Sequence, residues 1–264
     1  MHHLKNWKIT TKCVNGEISS MAVSHIEFYS EKLEMKTRVN VILPEHVDKD
    51  GQVLLLLHGL GDDENTWFEQ TRIVSYASGS NITVIMPRVD RSYYTTSVGG
   101  PKYFEYVSQE ILQRCQEWFN IPNNKEQTFI AGISMGGFGA LKVGLTNPKR
   151  FKQIFVMSAM PDIITNWRNN SERDEWYRSL FGTPEQIQES INDVSYLVSK
   201  QNETAPKIWQ LCGRNDSFYD MNVILDQQIR KRGLKHQFVE VSGGHEWSVW
   251  DKAIKQVLNI IDDK

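Results

Sequence analysis

Gly132-Ile133-Ser134-Met135-Gly136 sets a serine between two glycines. An apolar run at residues 128–131 precedes it, and a segment with helical spacing at 138–145 follows. A serine in a G-x-S-x-G turn between a strand and a helix has the form of a nucleophile elbow. The sharp turn lifts the hydroxyl clear of the backbone. Glycines flank it because a β-carbon there would crowd the neighbouring strand or helix. The helix that follows points its free N–H groups to where negative charge would develop.

A nucleophilic serine needs a base, and the base needs an orienting carboxylate. Asp216 stands in Gly213-Arg214-Asn215-Asp216, just past an apolar run at 208–212. His245 stands in Gly243-Gly244-His245-Glu246-Trp247, past the last predicted strand at 236–241. Both fall at the strand-end edge where open α/β sheets hold their sites. His245 is expected to take the Ser134 proton and pass it to the leaving group. Asp216 is expected to hold the other imidazole N–H. Asp220 competes with Asp216 but falls inside the next predicted helix. Of the other histidines, His25 lies in an alternating strand, His46 in a loop after Pro44 and His236 at the start of a strand. His2 and His3 lie next to Met1. His58 precedes the nucleophile and reads as a structural histidine tying down its loop.

Two backbone N–H groups are needed to hold an oxyanion. Met135, directly after the nucleophile, is one candidate. Leu60 is the other, in His58-Gly59-Leu60-Gly61 after the run at 53–57. Because backbone groups donate, the side chains of Leu60 and Met135 are free to vary at low cost. Trp67, Tyr94, Trp167 and Trp247 are the aromatic residues whose loops could reach the site, as substrate-binding candidates. Asp62-Asp63-Glu64 reads as an acidic helix start before Trp67, and no metal is expected.

The elements that must hold these residues alternate. Residues 21–29 and 35–43 read as an antiparallel hairpin turning at Glu31-Lys32. Residues 53–57 and 82–86 are continuous apolar runs, as expected of strands buried on both faces. Strands at 127–131, 151–158, 208–212 and 236–241 follow, with helices at 103–119, 219–232 and 246–261. This order predicts an α/β fold, mostly parallel with an antiparallel N-terminal edge. Residues 161–206 break the alternation, and their polar, tryptophan-containing sequence predicts short helices that cap the site within a single domain spanning 1–264.

The chain has 264 residues, of which 40% are hydrophobic and 23% charged, enough for one sizeable core. A formal net charge of -2 argues against nucleic-acid binding. The run Arg230-Lys231-Arg232 before Gly233 suits the C-terminal turn of a helix. Cys13, Cys115 and Cys212 form no C-x-x-C pair, which predicts free thiols in a reducing compartment. The polar start at residues 1–12 predicts no signal peptide. Apolar runs too short to span a bilayer predict no membrane partner, and hence a cytoplasmic chain.

With these residues placed, the chain resembles the esterase D-type family of α/β-hydrolases, tributyrin esterases and S-formylglutathione hydrolases included. The matching pieces are His58-Gly59-Leu60-Gly61 with Trp67, Arg91-Ser92-Tyr93-Tyr94, Gly132-Ile133-Ser134-Met135-Gly136-Gly137, Asp216 after Gly213, and Gly244-His245-Glu246-Trp247. The resemblance implies cofactor-free hydrolysis of a small-molecule, short-chain acyl ester or thioester. Two enzyme readings follow, a serine carboxylesterase and an S-formylglutathione hydrolase. A third reading is a hydrolase-fold binding protein without turnover. A homo-oligomer is left open.

Overall fold

A computed structural model describes residues 7–14, 17–45, 47 and 50–262, with side chains from residue 21 onward. His2, His3 and His46 lie outside the described residues, as does the side chain of Cys13. The chain opens with three strands, β1 (Trp7–Val14), β2 (Glu17–Ser30) and β3 (Met35–Leu43). β4 (Gln52–Leu57) leads through two short helices, α1 (Thr66–Gln70) and α2 (Ile73–Ala77), to β5 (Ile82–Pro87). α3 (Tyr103–Glu105) continues through a π turn, Tyr106–Glu110, into α4 (Ile111–Phe119). β6 (Thr128–Ile133), α5 (Met135–Thr146) and β7 (Gln153–Met157) follow. The stretch up to β8 (Lys207–Gly213) holds α6 (Ile163–Asn169), α7 (Asp174–Phe181), α8 (Pro184–Ile187) and α9 (Val194–Lys200). α10 (Tyr219–Arg232), β9 (His236–Val241) and α11 (Trp247–Asp262) complete it.

The strands form one sheet in the order β1-β2-β3-β5-β4-β6-β7-β8-β9. β1 to β3 are antiparallel to one another, and β3 runs antiparallel to β5. From β5 through β4, β6, β7 and β8 to β9 every pairing is parallel. This is the α/β-hydrolase fold expected, with one strand more than the sequence predicted: the mixed pattern of residues 7–14 hides β1.

β4 shows why its sequence is apolar throughout. Val53, Leu55 and Leu57 enter the core under α4 and α5, while Leu54 and Leu56 enter the core under α2 and α11. Successive side chains point to opposite faces, and both faces are covered. The helix expected at 103–119 is interrupted by the π turn. That turn delivers Glu110 to the β2–β3 tip, where its carboxylate accepts from the Ser30 hydroxyl at 2.5 Å and from the Glu31 and Lys32 amides at 2.8 and 3.1 Å.

The segment between β7 and β8 is helical, as expected, and locally capped. Asp162 accepts from the Thr165 amide at the start of α6, and Asp193 from the Tyr196 amide at the start of α9. It is tied to α5 and to the loop after β5 through Asn192, whose Oδ1 accepts from the buried Lys142 on α5 at 2.5 Å and from Thr95 at 2.9 Å. Cys115 and Cys212 are free and buried. Among the described residues no helix is long and apolar enough to cross a membrane.

Candidate active site

Ser134 sits between β6 and α5 with φ 52° and ψ -116°, a left-handed conformation that non-glycine residues rarely adopt. The flanking glycines are a steric requirement. A β-carbon on Gly132 would collide with the Gly136 carbonyl, and one on Gly136 would lie 2.5 and 2.6 Å from the Leu57 and His58 carbonyl oxygens. The elbow is therefore in backbone contact with the loop after β4.

Three sequence-predicted side chains meet here. Ser134 Oγ lies 2.9 Å from His245 Nε2. His245 Nδ1 lies 3.1 and 3.0 Å from the two Asp216 carboxylate oxygens. Asp216 also accepts from the Phe218 amide at 2.8 Å. Burial pushes the Asp216 carboxyl up, but the hydrogen bonds from His245 and Phe218 outweigh it, and it stays below the usual carboxylate range. The acceptor on the Nδ1 side fixes the imidazole: Nδ1 carries the proton and Nε2 is free to receive one from Ser134. Asp220, the competing carboxylate, lies in the first turn of α10.

His58 is 1% exposed and holds the loop after β4. The Val89 amide donates to its Nε2 at 3.1 Å, so Nδ1 carries the proton and donates to the Gly59 carbonyl at 2.8 Å. The Gly59–Leu60 peptide is trans. A Gly59 carbonyl drawn to His58 therefore turns the Leu60 N–H the opposite way. Two further bonds steady the loop: Tyr94 Oη donates to the His58 carbonyl at 2.8 Å, and the Gly59 amide donates to Asp62 at 3.1 Å. Burial lowers the His58 pKa to about 4, keeping the imidazole neutral. Met135 opens α5 just after the capping Ser134, so its amide has no partner within the helix.

The aromatic residues named from sequence divide. Trp67 and Tyr94 have no exposed surface, which removes both from the open pocket lining expected of them. Trp67 packs edge-on to Trp247, and Tyr94 is committed to the His58 carbonyl. Trp167 is 4% exposed, stacks on Tyr177 and donates to Asp174 at 2.9 Å, so it belongs to the α6–α7 packing. Trp247 is partly buried and lies edge-on to Trp250. The rings in contact with His245 are ones the sequence reading missed: Phe218 and Trp250, both edge-on at 5.0 and 4.8 Å between centroids. The signal was position alone, Phe218 soon after Asp216 and Trp250 in the helix that follows His245. Among the described residues no group of His, Cys, Asp or Glu is arranged to hold a metal ion.

A family model described as "Putative esterase" matches residues 30–260. The chain belongs to the Putative esterase family. It is 33% identical over 254 residues to an acetyl esterase of Caldicellulosiruptor saccharolyticus, covering 89% of this chain and 96% of that protein. Its fold matches two Staphylococcus aureus structures. One is FphF, a fluorophosphonate-binding serine hydrolase (TM-score 0.86, 28% identity, 92% of this chain and 99% of that one). The other is the S-formylglutathione hydrolase FrmB (TM-score 0.84, 29% identity, the same coverage). This esterase-family chain thus aligns with serine hydrolases over nearly its whole described length.

Proposed function

We propose that the chain is a serine carboxylesterase acting on small, short-chain acyl esters through an acyl-enzyme. The observation that carries this reading is the unbroken hydrogen-bonded series from Ser134 Oγ through His245 to the Asp216 carboxylate. Ser134 gives its proton to His245 Nε2 as Oγ attacks the ester carbonyl. The Leu60 and Met135 amides hold the resulting oxyanion. His245 then protonates the departing alcohol, leaving the acyl group on Ser134. A water gives its proton to His245, attacks the acyl carbon and releases the acid, and the serine regains its proton. Asp216 stabilises the imidazolium in both halves. No metal or cofactor takes part in this scheme.

The acetyl esterase relative supports a short acyl chain. The chain acts as one α/β-hydrolase domain, with the helices of residues 161–206 as a cap, and two buried free thiols fit a cytoplasmic setting. Similarity to FrmB favours a second reading, thioester hydrolysis of S-formylglutathione by the same residues. Ser134→Ala is expected to lower kcat on p-nitrophenyl acetate by about 10⁴- to 10⁶-fold and to abolish labelling by a fluorophosphonate. Unchanged rates would reject the reading. Esters graded by acyl length, run beside S-formylglutathione, separate the two substrates.

A further inference from the structure

We propose that Ser158 and Trp250 are positioning residues that hold Asp216 and His245 in register with each other, an inference that rests on the carboxylesterase reading. Ser158 follows β7 as Ser134 follows β6, and the register Ile133 to Met157 sets the two serines side by side. Both backbones are left-handed, Ser134 at φ 52° and Ser158 at φ 48°. A side chain in that conformation is unfavourable and persists only where its surroundings hold it. Glycine would occupy it without strain, so what serine adds at position 158 is the hydroxyl.

That hydroxyl is fully buried and engaged on its acceptor side. Trp250 Nε1–H donates to Ser158 Oγ at 3.0 Å. The single hydroxyl proton is left for the Asp216 carboxylate, which Ser158 helps to hold below the usual carboxylate range, or for the Cys212 sulfur. A carboxylate is the stronger acceptor. Burial and the Asp216 charge push the Cys212 thiol up to about 12, so it stays protonated and does not compete as an anion. Trp250 meanwhile presses its ring edge-on to the His245 imidazole, at 4.8 Å and 86°. One indole thus reaches the base through its ring and the carboxylate through the Ser158 hydroxyl. The Ser158 amide, bonded to the Leu211 carbonyl at 2.8 Å, fixes the serine to β8, the strand that leads to Asp216.

The test is Ser158→Gly beside Trp250→Phe and Ser134→Ala. Ser158→Gly relieves the backbone but leaves the buried Trp250 N–H unpaired, so the two effects offset and the melting temperature should stay close to the parent's. Its kcat on p-nitrophenyl acetate should fall about 10- to 100-fold with KM little changed, as expected of misaligned reacting groups. Trp250→Phe keeps a ring against His245 but loses the N–H, and should cost less. The double variant should be no worse than Ser158→Gly, because both act through one hydroxyl. The downfield proton NMR signal of His245 Nδ1–H should move in Ser158→Gly and stay in Ser134→Ala. If Ser134→Ala is inactive while Ser158→Gly keeps kcat within about twofold of the parent and an unmoved Nδ1–H signal, the positioning role is overturned and the esterase reading stands. If Ser134→Ala retains activity, both fall.

Discussion

Two groups of side chains flank Ser134, on opposite sides of β6 in the sheet order. On the β4 side, His58, Tyr94 and Asp62 all act on main chain: they hold the Gly59 and His58 carbonyls and the Gly59 amide. On the β8 and β9 side, Phe218 and Trp250 lie edge-on to a side chain, the His245 ring, and Ser158 accepts from Trp250. One side fixes where a charge would be received, and the other fixes where a proton would travel. A proton path can be cut by changing its own residues. A backbone donor has no side chain to remove, so its sensitive residues lie one step behind it.

After Ser134→Ala itself, Asp216→Asn should show the largest effect. It leaves the imidazole in the wrong tautomer, and kcat on p-nitrophenyl acetate should fall about 10⁴-fold with the fold retained. His58→Ala tests the opposite side. With the Gly59 carbonyl released, the Leu60 N–H is free to turn, and kcat should drop about 10²- to 10³-fold, the cost of losing one oxyanion donor. A His58→Ala enzyme with parental kcat would break the comparison.

The same histidine sets a pH limit on stability. Its pKa is about 4 in the folded chain and 6.5 in the unfolded one. Above pH 6.5 both states are neutral, and the contribution is complete. Between 6.5 and 4 only the unfolded chain takes up the proton, so stability is lost as pH falls, by about 3 kcal/mol in all. His236, also lowered to about 4 by burial, acts in the same direction. Denaturant midpoints measured from pH 7 to pH 4 should fall steadily, and less steeply in His58→Ala. The smallest effect belongs to Leu60→Ala: the donor is main chain, so kcat should stay within about threefold of the parent. A loss as large as that of His58→Ala would mean that the Leu60 side chain itself matters.

What the sequence made legible follows the same division. The elbow could be read because its demand is local: two glycines flank one serine within a single turn. Asp216 and His245 could be read because each follows a segment with strand character, the largely apolar 208–212 and the mixed 236–241. The His58 assignment held in kind, since a histidine ahead of the nucleophile and inside an early loop has little else to do. Tyr94 was misplaced because its task depends on a carbonyl remote in sequence, and no spacing rule reports that meeting. Trp67 and Trp167 were misplaced for a related reason: a bulky aromatic ring in a loop suits a pocket wall and a packed core equally well. Ser158 and Trp250 carry no motif at all. Strand β1 escaped notice because Trp7–Val14 mixes polar and apolar residues with no clean alternation.

The π turn at Tyr106–Glu110 has an effect well away from the elbow. By carrying Glu110 beneath the end of the β2–β3 ribbon, it assigns the ribbon's anchorage to a helix instead of to the turn that closes it. Glu31 and Lys32 join that clasp through their amides, and the Glu31 side chain adds only a surface pair with Arg114, of the kind worth little in water. The tip can therefore drift in residue type across generations while the ribbon stays moored, provided the carboxylate beneath it is kept.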